Sequence, residues 1–217
     1  MFFTERKLEG RINELAQYRY RETKPFLEFL AKQDTSGLVN PDAPTDFSGW
    51  DRMPLGADWK GRDLYLWLHA DAEIPAEWEG KRAVGVFDFG MTGDGNNFGF
   101  ESLLYVDGRR YQGVDANHKE VFFKPETYGK KVSLTFRLWS GLEGGGQPRE
   151  MEHRLKSAFL GWLDESTDDL YYLGAMVLGT VRQLSENEPL HHELLTALDR
   201  AFYVIDWSYP GSECFYE

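Results

Sequence analysis

The feature that most narrows what this chain can fold into is one dipeptide, Asp107-Gly108, set between two β-rich runs. Phe100 to Val106 precedes it and Arg109 to Val114 follows it. A two-residue type I′ connection needs positive φ at both central residues, which Asp and Gly tolerate and most side chains do not. Such a turn ties two strands into an antiparallel pair and sets their register. The middle of the chain is therefore sheet, and its neighbours agree. Leu64-Tyr65-Leu66-Trp67-Leu68-His69 is apolar at successive positions, as suits a strand covered on both faces. Arg82 to Phe89, Val121 to Phe123 and Val132 to Trp139 read as further strands. His153 to Leu163 is assigned to strand rather than helix. Gly90 to Asn97 and Ser140 to Arg149 are glycine-rich loops.

The ends of the chain have a different period. From Thr4 to about Arg21, Leu8, Ile12, Leu15 and Ala16 fall on one helical face, with Thr4 as the capping residue. Leu38 to Lys60 is rich in Pro, Gly and Asp, with Phe47, Trp50, Met53 and Trp59 spaced along it. It reads as an irregular arm pinned on a core by its aromatics. Near the C-terminus, Leu170, Leu173, Val177, Val181 and Leu184 mark one helix, with Ser166 as its cap. Leu190, Leu194, Leu198, Ala201 and Ile205 mark a second helix, which opens at Pro189. The expected organisation is a helix and arm over residues 1–60, a β-sandwich over 61–163 and a helical pair over 164–217. The class is mainly β with α flanks.

Charge and cysteine content bound the partners. The chain has 217 residues, a net charge of −12 and a pI near 4.9. An acidic surface of that size disfavours nucleic acid and anionic membranes. No apolar run is long enough to span a bilayer. The first seven residues meet charge at once and have no signal-peptide core. A single cysteine, Cys214, excludes an internal disulfide and a zinc site of the cysteine-cluster kind. A cytoplasmic location is the expectation.

The stretch Gly99 to Val121 contains E-S-L-L-Y-V-D-G and then Q-G-V-D-A-N-H-K-E-V. It closely resembles the N-terminal region of family 38 glycoside hydrolases, the α-mannosidases, in their bacterial cytosolic branch. Asp63 to Leu68, Ile74 to Trp78, and the F-R-L-W-S-G-L-E-G-G-G run from Phe136 to Gly146 agree. So do Leu163-Asp164 through Tyr172 and Ala197 to Asp206, so that the resemblance covers essentially the whole chain. It implies a galactose-binding-like jelly roll whose helices lead toward a (β/α) catalytic barrel. It further implies that this barrel, outside these residues, binds one zinc ion through His and Asp and hydrolyses α-mannosides with retention through an Asp nucleophile. On that footing this chain is non-catalytic and holds no cofactor of its own. Its partners are its own catalytic domain, α-mannoside glycans and further copies of itself in a homo-oligomer. The alternatives are a free-standing carbohydrate-binding module and an oligomerisation domain.

Within the chain, Asp115, Asn117 and His118 are the candidate sugar-binding residues. They place acceptors, donors and one titratable ring on the segment after the hairpin. The competing reading is a turn in which Asp115 and Asn117 serve nearby backbone amides. His69-Ala70-Asp71 spells the family's His-x-Asp zinc motif. It lies upstream of the hairpin, however, so it reads as a strand-end His and a turn Asp. Asp94, Asn96, Asn97 and Glu101 are oxygen-rich, but their spacing is not that of a calcium loop. Asp168 and Asp169 suit a helix N-terminus. His191 and His192 point about 100° apart on a helix and are expected to face solvent.

Overall fold

The computed structural model describes residues 4–90, 100–143 and 147–217. It divides into a β unit, residues 23–162, and a helical unit of residues 4–22 and 163–217. The candidate calcium residues Asp94, Asn96 and Asn97 lie outside the described residues.

The β unit is an antiparallel sandwich. Its larger sheet has six strands in the order β3 (Asp51–Pro54), β2 (Glu28–Asp34), β5 (Tyr65–Ile74), β10 (Lys130–Trp139), β7 (Glu101–Val106) and β8 (Arg109–Asp115). Facing it is a four-stranded sheet in the order β1 (Tyr20–Pro25), β12 (Ser157–Leu163), β6 (Arg82–Asp88) and β9 (Glu120–Phe122). A short pair, β4 (Asp58–Gly61) and β11 (Met151–Arg154), completes it. The Asp107-Gly108 hairpin is as expected, with φ of 51° and 74° at the two turn residues. Asp107 also ties the turn to the next strand, because its Oδ1 accepts from the Ser133 amide at 2.9 Å.

β10 alternates apolar and polar side chains from Val132 to Leu138. Its Val132, Leu134, Phe136 and Leu138 enter the sandwich core with Phe29, Leu68, Phe87, Leu104, Val121 and Leu160. Its other face is covered as well. Trp67 and Tyr105 pack there with Ala43 and Trp50, while Phe47, Leu30 and Leu103 close the edges. The arm is held by aromatics as expected, and also by polar contacts. The Tyr105 hydroxyl donates to the Pro41 carbonyl at 2.9 Å. Arg137, 8% exposed, donates to the Leu38 carbonyl at 2.7 Å and the Val39 carbonyl at 3.1 Å, and pairs with buried Asp34 at 2.8 Å.

Two sequence readings need correction here. The N-terminal helix α1 (Thr4–Leu15) stops short of Arg21, and the chain enters β1 at Tyr20. β2 precedes the arm, and the arm itself is not wholly irregular, since β3 and β4 begin within its second half. These are short strands; β1 and β3 are charge-rich and largely exposed, so they lack the apolar alternation that a sequence reading needs, while β4 buries only Trp59 and Gly61 in four residues.

In the helical unit, α1 packs with α2 (Glu165–Val181) and α3 (Pro189–Tyr203) around Leu8, Ile12, Leu15, Leu178, Val181, Leu195, Leu198 and Phe202. A short helix, α4 (Glu213–Tyr216), adds Phe215. Gly174 sits where α2 meets α1 and α3. A Cβ there would lie 3.2 Å from both Ile12 and Phe202, so glycine is what permits the close approach. The N-cap of α2 is Asp164, not Ser166, because its carboxylate reaches the Thr167 amide at 3.0 Å. The buried stripe of α2 runs through Gly174 and Leu178 and leaves Leu173 58% exposed. Asp168 does sit in the first turn of α2, and Arg19 binds it at 2.5–2.6 Å. His191 is buried rather than solvated, because α3 turns it inward, with Nε2 3.7 Å from Glu5. His192 is exposed as expected.

Candidate functional site

Asp115 ends β8 and organises the turn that follows. Its Oδ1 accepts from the amides of Asn117 at 2.7 Å and His118 at 2.9 Å. The His118 Nδ1 lies 3.1 and 3.0 Å from its two carboxylate oxygens. Burial alone would raise the Asp115 carboxyl, but the His118 ring and these two amides outweigh it and hold it below the usual carboxylate range. The structure thus brings Asp115, Asn117 and His118 together, with Asp115 shaping the turn and the Asn117 and His118 side chains exposed. Asp115→Ala leaves three donors without their acceptor. It is expected to cost about 1–2 kcal/mol, and hydrogen exchange should show the Asn117 and His118 amides losing protection while the sandwich amides keep theirs.

Beside that turn a row of residues crosses the large sheet; of its members other than Asp115, only Glu101 was singled out in the sequence, among the oxygen-rich residues, and the rest were missed. The pairing register places Asp34 opposite Tyr65, Tyr65 opposite Trp139, Trp139 opposite Glu101, and Glu101 opposite Asp115. Directly opposed residues in an antiparallel sheet have Cβ atoms about 4.5–5.5 Å apart, so these side chains are neighbours. The row lies on the face that points away from the sandwich core, since Leu138, one residue earlier, points in.

The floor of the row is tightly stapled. The Leu64 amide donates to Ser140 Oγ and the Ser140 amide to the Leu64 carbonyl, each at 2.9 Å. The Asp63 amide reaches the Gly141 carbonyl at 3.0 Å. Arg62 grips Glu143 with two nitrogens at 2.6–3.1 Å, and that charge-assisted contact pulls the Glu143 carboxyl down to about 2. Asp63 takes a left-handed backbone, φ 56°, and its Oδ1 accepts from Trp139 Nε1 at 2.9 Å. The Arg137 guanidinium lies 4.0 Å from the centre of the Tyr65 ring.

His69 and His153 are structural. His69 and Asp71 both lie within β5 on one face, rather than at a strand end and a turn. His69 is buried, stacked on Phe47 at 3.5 Å, with Nδ1 3.2 Å from Thr135 Oγ1 and Nε2 3.6 Å from Asp71. Burial lowers its pKa, against the pull of Asp71. His153 is likewise buried, stacked on Trp59 at 4.1 Å and bonded through Nε2 to the Ser140 carbonyl at 2.8 Å. Among the described residues no three His, Cys, Asp or Glu side chains converge as metal ligands. The His69–Asp71 pair therefore does not fit a zinc ion. Among the described helices none is long and apolar enough to cross a membrane.

No protein-family model matches the sequence, and no curated protein matches it. Among solved structures, the chain is similar to the β-glucuronidase of Faecalibacterium prausnitzii, with 11% identity and a TM-score of 0.49 over 66% of this chain and 32% of that one. It is also similar to the apo β-glucuronidase of Ruminococcus gnavus, with 14% identity and a TM-score of 0.44 over 66% of this chain and 29% of that one. The chain therefore spans less than a third of the structures it matches. Nothing about substrate or chemistry follows from likenesses of this size.

Proposed function

We propose that this chain is the N-terminal, non-catalytic part of a glycoside hydrolase of the α-mannosidase kind, acting in the cytoplasm. In this reading the zinc-dependent, retaining hydrolysis of terminal α-mannosides belongs to a catalytic barrel elsewhere in a longer polypeptide. The β-sandwich supports that active site. One observation supports the reading above the rest. Three segments that carry the sequence resemblance, Asp63 to Leu68, Gly99 to Val121 and Phe136 to Gly146, are far apart in the chain. Asp63, Tyr65, Glu101, Asp115 and Trp139, drawn from those three segments, sit together at one end of the large sheet.

A role in assembly is compatible with this reading. The outer face of α2 leaves Tyr172, Leu173 and Met176 at 49%, 58% and 69% exposure, an apolar stripe suited to contact with a second copy. The direct test of the non-catalytic assignment is turnover of aryl α-mannosides by this chain alone. None is expected at micromolar protein over hours. Measurable hydrolysis that survives repeated purification would overturn the assignment.

A further inference from the structure

Trp139 stands apart from the other tryptophans of the chain. Trp50 and Trp67 belong to the core beneath the arm. Trp59, Trp78 and Trp162 belong to or pack on the sandwich core, and Trp207 packs on the helical core. Trp139 is half-buried and belongs to none of the three among the described residues. The arm's cluster takes in its neighbours Trp67, Leu103 and Tyr105 but not Trp139 or Tyr65. A large, half-buried indole thus lies outside all three apolar clusters, which hold every other tryptophan of the chain.

It is also fixed in place. Asp63 accepts its N–H at 2.9 Å from a left-handed backbone position, a conformation that costs a non-glycine residue free energy. The bonds that join residues 62–64 to residues 140–143 fix the two segments that carry these groups to each other. On the far side of Trp139 from Tyr65 stands Glu101, exposed and without a hydrogen bond or ion pair among the described residues. Asp115 is next in the row. An indole held by its N–H and bordered by a carboxylate that has no partner among the described residues, with a second carboxylate next to it, is a built surface with features in common with small-ligand sites.

We infer that Trp139 and Glu101 form a subsite for an uncharged pyranose, with the sugar's C–H face on the indole and ring hydroxyls donating to Glu101. The ligand class follows from charge and shape. A carboxylate rim accepts hydroxyl donors and repels anionic sugars, so a neutral hexose is favoured over a uronic acid. This inference rests on the reading of the chain as part of a glycan-processing enzyme, and it fixes where in this domain sugar is held.

The test is a titration of the full 217-residue chain, following the indole N–H resonance of Trp139, assigned by Trp139→Phe. The probes are methyl α-mannoside and methyl glucuronide. The expected result is a saturable shift of that resonance with methyl α-mannoside, with a dissociation constant on the order of 1–10 mM. Methyl glucuronide should bind at least about fivefold more weakly, with the gap narrowing in high salt. Glu101→Gln keeps the residue's shape and should weaken mannoside binding about tenfold, whereas Trp139→Ala should abolish it. Glu101→Gln removes no packed group, so its result stands even if Trp139→Ala perturbs the fold.

A Trp139 resonance unmoved at 100 mM mannoside would overturn the subsite, as would equal binding of glucuronide or an unchanged affinity in Glu101→Gln. The failures are separable. Mannosidase activity in the longer protein with a silent Trp139 rejects the subsite alone. A responsive Trp139 in a protein that never cleaves mannosides rejects the parent activity alone.

Discussion

Arg137→Ala is expected to lower the unfolding free energy by about 3–5 kcal/mol at neutral pH, the range for stripping one partner from a buried ion pair. Both partners are enclosed, with side-chain exposures of 7% for Arg137 and 5% for Asp34. The substitution would leave the Asp34 charge buried and free the Leu38 and Val39 carbonyls. Replacing both charges together, Arg137→Met with Asp34→Asn, should recover much of the loss, because the cost lies in the orphaned charge. The pH dependence has a definite sign. Burial pushes Asp34 up, but the Ser36 contacts and then Arg137 overcome it, so its folded pKa is lowered from 3.8. A lowered carboxylate stabilises the fold above the unfolded pKa and loses that contribution as pH falls through the folded value. The difference between wild type and Arg137→Ala should therefore shrink below about pH 4. Urea melts at pH 7 and pH 3 measure it. Hydrogen exchange in the Arg137→Ala chain should show the arm opening first, at the Trp50 amide that bonds to the Phe47 carbonyl.

One residue earlier on the same strand, Phe136→Ala should cost about 3–5 kcal/mol for a different reason. Phe136 is fully enclosed, and its ring centre lies 4.7 Å from that of Phe87, 5.0 Å from Phe89 and 6.3 Å from Phe29. Removing it opens a cavity where the two sheets meet. Phe136→Leu refills most of that volume and should lose only about 1–2 kcal/mol. The two alanine variants should differ in where they loosen. Phe136→Ala weakens exchange protection across the sandwich strands. Arg137→Ala does so first beneath the arm. Equal losses in both places for both variants would mean that the two faces of β10 form one core rather than two.

Much of this was legible before the structure. Asp107-Gly108 gave its turn type and its hairpin because positive φ at two successive residues is a local demand that few dipeptides meet. β5 was readable because burial on both faces leaves an apolar run from Leu64 to Leu68, and β10 because apolar and polar residues alternate from Val132 to Leu138. β1 and β3 were not, since exposed edge strands rich in charge have no period to detect, and β4 was not because four residues with only Trp59 and Gly61 buried are too few to show one. The error at His191 has a different origin, the phase of a clear period. A helix stripe read from Leu190, Leu194 and Leu198 differs by one residue from the buried stripe of His191, Leu195, Leu198 and Phe202. Only contact with α1 and α2 decides between them.

At the candidate site, Asp115, Asn117 and His118 could be picked out because they are close in sequence. Trp139, Tyr65 and Asp63 could not, and Glu101 stood out only as one of a group of oxygen-rich residues. They are brought together by the register of strands separated by tens of residues, and register is a tertiary fact. An available signal was a tryptophan ending a strand and followed at once by Ser-Gly, where an aromatic has no second strand to cover it.

The most direct test is substrate preference of the full product of the reading frame that encodes these 217 residues, assayed against matched aryl α-mannoside and aryl β-glucuronide. Preferential cleavage of the α-mannoside, with retained configuration and loss on zinc chelation, is the predicted result. Cleavage of the β-glucuronide instead, or of neither, would contradict the assignment of this sandwich to an α-mannosidase.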